Sequence, residues 1–323
     1  MDVTPIIIAH YLYIYVGFFA GIIGSVGNIL NNIIFGCMKK YRVLPSSVFL
    51  AGASFGEELA VVALIFPQSF ASATGRDPRA MSTVFCKISS LFYTGGGSLS
   101  ILCLYVAATD RYLQTSRSAS LRQWMTLKKA RIIFFINLTI AATVGLPFGV
   151  FRDVVPITQT CDYVSITFTQ IAFFFYSIVG FLFPLVLLTG TVYLTFRNLR
   201  QTRERQAANQ NANNLTQHVT RMILLQTIII VISILPGATI NLYGILLQKD
   251  SLMATPIELL ILTITQILTY TNSCTSFYVY LIMSPTFRQH VMRMFGINAC
   301  NRIRIVPQPT LTRSTNLPRT QHH

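Results

Sequence analysis

The sequence predicts an all-α membrane protein, a seven-transmembrane helix bundle with a short amphipathic cytoplasmic helix after the seventh span. Three observations support this fold class. Hydrophobic residues make up 52% of the 323 residues and charged residues only 11%, whereas a soluble domain carries about 25% charged residues. The hydrophobic residues occur in long blocks, and most of the basic residues lie between those blocks. A soluble fold is therefore disfavoured.

The hydrophobic blocks are long enough to cross a bilayer. A spanning helix needs roughly 20 residues to cross about 30 Å of hydrocarbon, and lipid offers unpaired backbone groups no partners, which favours helices. Prolines inside the blocks are expected to kink helices rather than to end them. The predicted spans are Ile6–Phe35, Ser47–Ser69, Thr83–Tyr112, Ala130–Phe151, Ile166–Phe196, Val219–Leu247 and Pro256–Met283.

The positions of the basic residues predict the orientation of the bundle. With the N-terminus outside, twenty of the 25 Lys and Arg residues lie in cytoplasmic segments, as the positive-inside rule requires. The net charge of +15 is therefore explained by topology, and no nucleic-acid partner is expected. We expect a multi-pass plasma-membrane protein with an extracellular N-terminus and a cytoplasmic C-terminus. Five basic residues remain outside, namely Arg76, Arg79, Lys87, Arg152 and Lys249.

The remaining segments are short. Residues 1–10 are predicted to be an extracellular N-terminus and residues 11–283 the membrane domain. Residues 284–300 alternate apolar with basic side chains, which predicts a helix on the membrane surface. Residues 301–323 are rich in Pro, Thr and Arg, which predicts a disordered cytoplasmic tail. Both palmitoylation of Cys300 and a free thiol remain open.

Several markers resemble one receptor family. Asp110-Arg111-Tyr112 ends the third span, and Cys86 lies 25 residues before Arg111, near the other end of that span. In these features residues 10–295 resemble rhodopsin-like (class A) G-protein-coupled receptors, and we expect a divergent member of invertebrate type. The resemblance implies a receptor, without enzymatic activity or a cofactor, that binds an extracellular ligand and activates a heterotrimeric G protein. Four further residues occupy the family's marker positions: Asn28, Pro147, Pro184 and Pro236.

The sequence also departs from the family's motifs. Ser54 replaces the acidic residue of the second span, and Ser233-Ile234-Leu235-Pro236 replaces the motif C-W-x-P. Of the motif N-P-x-x-Y, only Tyr280 is kept. These departures favour, as an alternative, a decoy or scaffold receptor that does not couple. A small transporter is a weaker alternative, because no internal repeat or interrupted half-helix is evident.

The resemblance assigns G-protein coupling and activation to Asp110, Arg111, Tyr112 and Tyr280. It implies that Asp110 holds Arg111 in the inactive receptor and that Arg111 then contacts the G protein. The usual acidic partner on the sixth span is replaced by Thr216, so we expect elevated signalling without ligand. The alternative is an arginine that snorkels to the membrane interface.

The cysteines predict one disulfide. Three cysteines lie in spans and Cys300 is cytoplasmic, which leaves Cys86 and Cys161 as the extracellular pair. The extracellular side is oxidising, so a bridge between them is expected. Two unpaired thiols are the alternative.

A group of polar residues falls on the positions that line a mid-bundle pocket in the family. Glu57 follows one helical turn after Ser54, and a charge near the membrane centre is a candidate for function. Because successive helical residues point about 100° apart, Glu57 and Glu58 cannot both face the cavity. We hypothesise that Glu57 faces inward toward a basic ligand group or an ion; the alternative is a protonated or hydrogen-bonded glutamate that only packs. The other members are Asn28, Ser54, Ser100, Asn272 and Ser276.

The resemblance also narrows the ligand class. The acidic residue that anchors amines would stand at Tyr93, and the lysine that links retinal would stand at Tyr270. Monoamines and light are therefore disfavoured, which leaves neuropeptides, the preferred class, and small chemosensory molecules. Packing explains each of the candidate contacts equally well. These contacts are Tyr93, Tyr243, Gln266 and Tyr270, and no metal site, phosphate loop or catalytic constellation is evident.

Overall fold

The computed structural model describes residues 4–116, 118–155, 159–175, 178, 182–206, 214–246 and 255–295. The predictions for Cys300 and for the tail at 301–323 lie outside these residues. Within them, long helices pack side by side, and one β-hairpin lies at one end of the bundle. The predicted helical membrane bundle is confirmed.

The first half of the chain forms four long helices. Helix α1 (Thr4–Cys37) contains a π-helical segment at Leu12–Gly17, and α2 (Pro45–Thr74) contains another at Val61–Ile65. Helices α3 (Thr83–Thr115) and α4 (Leu127–Val150) follow. Single helical turns lie in the connections, at Lys39–Arg42, Pro78–Met81 and Ala119–Arg122.

The second half begins with an antiparallel hairpin of β1 (Arg152–Val155) and β2 (Thr160–Tyr163). The fifth predicted span corresponds to α5 (Ile166–Phe175) and α6 (Phe183–Gln206), and Pro184 is the second residue of α6. Pro147 and Pro236 lie inside continuous helices, as predicted. The remaining helices are α7 (Asn214–Leu246), α8 (Pro256–Met283) and α9 (Pro285–Met294).

Five stretches in the described part of the chain are long and apolar enough to cross a membrane. They match the first, second, third, fourth and sixth predicted spans. Helix α8 is 28 residues long, but Thr, Asn, Ser and Gln interrupt its apolar residues. The five stretches are Thr4–Cys37, Pro45–Thr74, Thr83–Thr115, Leu127–Val150 and Ile223–Ile240.

Helix α3 occupies the centre of the bundle. It packs against α2, α4, α6 and α7, while α1 packs against α2 and α8, and α7 packs against α8. The first and last long helices are thus neighbours, which closes the bundle. Polar residues on the inner faces of α1, α2, α3 and α8 therefore meet in its interior.

Glycines allow α2 and α3 to approach until their backbones touch. A Cβ atom added at Gly56 would lie 2.4 Å from the carbonyl oxygen of Gly96, and one added at Gly96 would lie 2.6 Å from that of Gly56. On the other side of α3, a Cβ at Gly145 of α4 would lie 3.1 Å from Gly95. Small residues favour such close helix packing in membranes. Gly97 faces open space.

Several helices exceed the predicted bounds. Helix α1 begins at Thr4, inside the predicted N-terminal segment, because residues 4–10 continue its apolar sequence. Helix α2 continues to Thr74 and is followed by Gly75 as its C-cap. Gly75 has a φ of 69°, a left-handed conformation that favours glycine. Helix α6 extends beyond Phe196 to Gln206, where Arg, Gln and Glu are good helix formers outside the hydrocarbon. Helix α7 begins at Asn214, before Val219.

The helix predicted after the last span is present as α9 (Pro285–Met294), and its place on the membrane surface stays a prediction. The hydroxyl of Ser284 caps it by accepting from the backbone N–H of Phe287. Phe287 and Val291 are buried, whereas Arg288 and Arg293 are exposed. The apolar face thus packs against the bundle, so α9 is fixed to the protein as well as suited to the membrane surface.

Candidate functional site

The predicted disulfide joins α3 to the hairpin. Cys86 and Cys161 are bonded, with their Cα atoms 5.6 Å apart, so the alternative of two free thiols is wrong. We call this the disulfide end of the bundle. The hydroxyl of Thr83 donates to Oδ1 of Asp153 at 2.7 Å, and Nζ of Lys87 lies 3.9 Å from Oδ2. The hairpin is thereby attached to the first two turns of α3.

Hydrogen bonds also set the charge state of Asp153 in the hairpin. The hydroxyl of Thr83 and the backbone N–H of Val154, helped by Lys87, hold the pKa of this carboxyl below its ordinary value. A lowered pKa means that the contact is complete near neutral pH and is lost as the pH falls through that pKa. Burial raises the pKa of Tyr163 on the opposite strand, so this phenol stays neutral.

Three of the four candidate ligand contacts meet near the disulfide end. The hydroxyl of Tyr13 donates to Oε1 of Gln266, and Tyr13 and Tyr270 belong to one buried cluster against which Tyr93 packs. The sequence prediction missed Tyr13, whose position depends on the π-helical segment of α1. The other buried members are Cys274 of α8 and, in the π-helical segment of α2, Val61 and Ile65. Such segments often occur at functional sites.

The structure does not bring Tyr243 to this cluster. Its side chain is 42% exposed, and its hydroxyl donates to Oε1 of Glu258 at 3.2 Å. Glu258 belongs to the capping box that begins α8. Tyr243 thus contacts the beginning of the neighbouring helix α8.

Glu57 faces the interior of the bundle, as predicted. Its side chain is buried; Ser100 of α3 donates to Oε1 at 3.3 Å, and the Ser276 hydroxyl of α8 lies 3.0 Å from Oε2. Glu58 is partly exposed. The carboxyl group therefore joins three helices, and its role toward a ligand or an ion stays a hypothesis.

Ser276 is the centre of this polar group. Besides Glu57, its hydroxyl lies 3.4 Å from Oδ1 of Asn28 and accepts from Nδ2 of Asn31 at 3.2 Å. Asn28 also donates to the carbonyl of Ser273. Asn31 was not predicted, although its spacing of three residues from Asn28 places both on one helix face. Helix α1 is thereby linked to α8.

The other two predicted members lie differently. Ser54 is buried one turn before Glu57 on α2. Asn272 accepts from Nε2 of Gln226 at 3.4 Å and so links α8 to α7. Gln226, which is fully buried, was missed because no family motif includes it.

We expect Glu57→Gln to separate the two hypotheses for this carboxyl group. Glutamine keeps the shape and the hydrogen bonds, so the free energy of unfolding should change by less than about 1 kcal/mol. If the carboxylate meets a basic ligand group or an ion, the potency of an activating ligand should fall at least about tenfold. Concentration–response curves and thermal unfolding measure both quantities.

Glu57→Leu is the matched control for the hydrogen bonds. It leaves the hydroxyls of Ser100 and Ser276 without their shared partner, which should cost about 1–3 kcal/mol per group. Unchanged potency in Glu57→Gln would reject the functional hypothesis and leave a packing role.

Arg111 is fully buried at the opposite end of the bundle, which we call the Arg111 end. Its Nη2 donates to Oδ2 of Asp110 at 2.7 Å and to Oγ of Ser46 at 2.7 Å. Gln114 donates to both oxygens of Asp110. A snorkelling arginine keeps its head in water, so that alternative is wrong. Tyr112 is half-buried beside this pair.

Ser46 is the unexpected partner of Arg111. It lies in the first turn of α2 and is itself fully buried. It supplies a second hydrogen bond to the arginine, whereas the family's second restraint is missing at Thr216, whose side chain lies outside the described residues. No local sequence signal identifies Ser46. Elevated signalling without ligand stays a prediction, and the hydrogen bond from Arg111 to Ser46 opposes it.

Tyr280 belongs to an aromatic cluster at the Arg111 end. Its ring centroid lies 5.7 Å from that of Phe35 in α1 and 6.0 Å from that of Phe287 in α9. Tyr41 packs 5.5 Å from Phe35, and Phe277 packs 5.7 Å from Phe287. Edge-to-face pairs of this kind add stability beyond their buried area. The cluster joins α1, α8 and α9, and the sequence analysis predicted only Tyr280.

Comparisons with known proteins agree with this architecture. A family model described as "7 transmembrane receptor (rhodopsin family)" matches residues 27–280. The chain is 23% identical over 291 residues to somatostatin receptor type 4 of Rattus norvegicus, covering 86% of this chain and 71% of that receptor.

Two further relatives extend the comparison. Somatostatin receptor type 5 of Bos taurus is 24% identical over 65% of this chain and 58% of its own length. Type-1 angiotensin II receptor A of Xenopus laevis is 21% identical over 84% of this chain and 76% of its own. The invertebrate type stays a prediction. The chain thus belongs to the rhodopsin family of seven-transmembrane receptors, and it is a multi-pass plasma-membrane, G-protein-coupled receptor for extracellular ligands, not an enzyme.

Proposed function

We propose that this receptor binds a peptide at the disulfide end and activates a heterotrimeric G protein at the Arg111 end. Its relatives are named as receptors for somatostatin and angiotensin II, and the somatostatin receptors are peptide receptors. A small chemosensory molecule is the alternative ligand. Tyr93, Gln266 and Tyr270 are the proposed contacts, with Tyr13 beside them.

The buried guanidinium of Arg111 carries the coupling proposal. A charged group removed from water is costly and is kept at a membrane edge mainly where it has a partner or a function. Only Nη2 has described partners; Nε and Nη1 are buried without hydrogen bonds to described residues. Movement of α3 away from Ser46 of α2 would free the N–H of Nη2 that now donates to this serine, which suits a site that binds the backbone carbonyls of a partner.

The proposed orientation places the disulfide end outside the cell. Disulfides form in oxidising compartments, and twenty of the 25 basic residues fall on the other side. Impermeant labelling of a tag inserted next to Arg122 should therefore fail on intact cells and succeed after permeabilisation. Labelling of intact cells would overturn the orientation.

The experiment for coupling is a screen of synthetic peptides on cells, read through a promiscuous G protein. Each active peptide is then tested for nucleotide exchange on purified G protein with wild-type receptor and Arg111→Gln. We expect exchange to fall at least about tenfold in Arg111→Gln while peptide binding remains.

The alternative, a receptor that does not couple to a G protein, predicts no nucleotide exchange. It is favoured by Ser233-Ile234-Leu235 and by Ser276-Phe277, which stand where the family's motifs are altered. Peptides that bind the wild-type receptor but cause no exchange on any G protein would support that rival and reject coupling.

A further inference from the structure

We propose that Arg152, at the start of the hairpin, binds a carboxylate group of the ligand. The inference rests on the proposed function in one respect, since it takes the ligand to be a peptide. It adds a charged contact to the proposed ligand contacts, which are tyrosines and one glutamine.

Contacts from two elements hold the Arg152 side chain. Its guanidinium carbon lies 4.5 Å from the ring centroid of Tyr163, the residue paired with it across the hairpin. Its Nη1 donates to Oγ of Ser90 at 3.4 Å, and Ser90 in turn donates to the carbonyl of Cys86. Because Cys86 also carries the disulfide, the guanidinium is fixed relative to α3. A fixed guanidinium loses little entropy when it binds an anion.

The charge of Arg152 is not neutralised by the part of the chain that the structure describes. The described ion pairs join Arg79 to Asp77, Lys87 to Asp153 and Arg111 to Asp110, and none includes Arg152. Its Nε is buried without a hydrogen-bond partner. An unsatisfied buried donor of a charged group is costly unless a ligand completes it.

The carboxylates of the hairpin do not fill this role. Asp153 pairs with Asp162 across the strands, in register next to the pair of Arg152 and Tyr163. Successive strand residues point to opposite faces, so both aspartates lie on the face away from the guanidinium. Asp153 is engaged by Thr83 and Lys87.

The position of Arg152 suits a ligand that enters the candidate pocket. Ser90, its partner, precedes Tyr93 by three residues on α3, so the two lie on neighbouring positions of one helix face, about 4.5 Å apart along the axis. Arg152 therefore stands about one turn from the tyrosine cluster, toward the disulfide end. Guanidinium groups bind carboxylates with two parallel hydrogen bonds, so the C-terminal carboxylate of a peptide or an Asp or Glu side chain would fit.

The first test needs neither a G protein nor an identified ligand. The full chain, in lipid nanodiscs, is treated with phenylglyoxal, and modification of each arginine is followed by mass spectrometry. N-acetylphenylalanine and its neutral amide serve as probes. We expect the carboxylate to slow modification of Arg152 about threefold at twice its dissociation constant, and the amide to have no effect. Arg76, which is exposed, is the internal control and should react at the same rate throughout.

Two results would overturn the proposal. One is an equal effect of the acid and the amide on Arg152, and the other is an Arg152 that does not react even without probe. Protection that persists in Lys87→Gln assigns the effect to Arg152 itself, whereas its loss there would assign the anion to the lysine.

The second test uses active peptides from the screen, each as free acid and as C-terminal amide. Arg152→Gln should weaken a peptide that uses its carboxylate about 10- to 100-fold, whereas Lys87→Gln should not. If the C-terminal amide no longer responds to Arg152→Gln, the C-terminal carboxylate is the group that Arg152 binds. If the response is lost on Asp→Asn or Glu→Gln in the peptide, Arg152 binds that side chain. Protection of Arg152 without nucleotide exchange would reject G-protein coupling and support the Arg152 site. Nucleotide exchange without protection and without a carboxylate effect would support coupling and reject the Arg152 site.

Discussion

Asp110→Asn should destabilise the receptor and raise its ligand-free nucleotide exchange. The substitution removes the negative charge beside Arg111, and both side chains are fully buried. Breaking a buried ion pair by removing one partner costs about 3–5 kcal/mol, because the remaining charge is left uncompensated. The arginine is then held by Ser46, a neutral partner, and should move more readily to the conformation that meets a G protein. Thermal unfolding and basal exchange on purified G protein measure the two effects.

Two further variants separate charge from position. Asp110→Asn combined with Arg111→Met removes both charges and should recover most of the lost stability without restoring exchange. Ser46→Ala removes one hydrogen bond to a charged group, so it should cost about 1.5–3 kcal/mol and raise basal exchange less. An Asp110→Asn receptor that unfolds at the wild-type temperature and keeps wild-type basal exchange would contradict this account of the Arg111 end.

Loss of the disulfide has the second large expected effect. Cys86 and Cys161 are separated by 75 residues in sequence, so the bond closes a long loop and restricts the unfolded chain. Removing such a bond costs about 2–5 kcal/mol. The double variant Cys86→Ser with Cys161→Ser should therefore unfold at a lower temperature, and a reducing agent should lower the wild-type temperature to a similar value.

The bond also positions the proposed anion site. Without it, the hairpin loses a covalent attachment to α3, so the protection of Arg152 by N-acetylphenylalanine should weaken as well. Cys37→Ser, which alters an exposed free cysteine, is the matched control and should behave as wild type. Wild-type stability that does not respond to a reducing agent would contradict the prediction.

The spans, the receptor family and the disulfide pair could be predicted from the amino-acid sequence alone. Each depends on local information, such as the length of an apolar block or the distance between Arg111 and Cys86. The inward direction of Glu57 was also predictable, because it lies one helical turn after Ser54 on the same helix face, which Glu58 cannot share. The amphipathic helix α9 was predictable from its alternating apolar and basic residues.

The contacts between side chains of different helices could not be predicted in this way. Ser46 with Arg111, Asn31 with Ser276, and Arg152 with Tyr163 and Ser90 each join separate elements. Such contacts depend on how each helix is rotated and shifted along its axis relative to its neighbours. The sequence of one span does not contain this information. The π-helical segments of α1 and α2 add to this, since an extra residue in one turn rotates all following side chains. Tyr13, which donates to Gln266, lies within one of these segments.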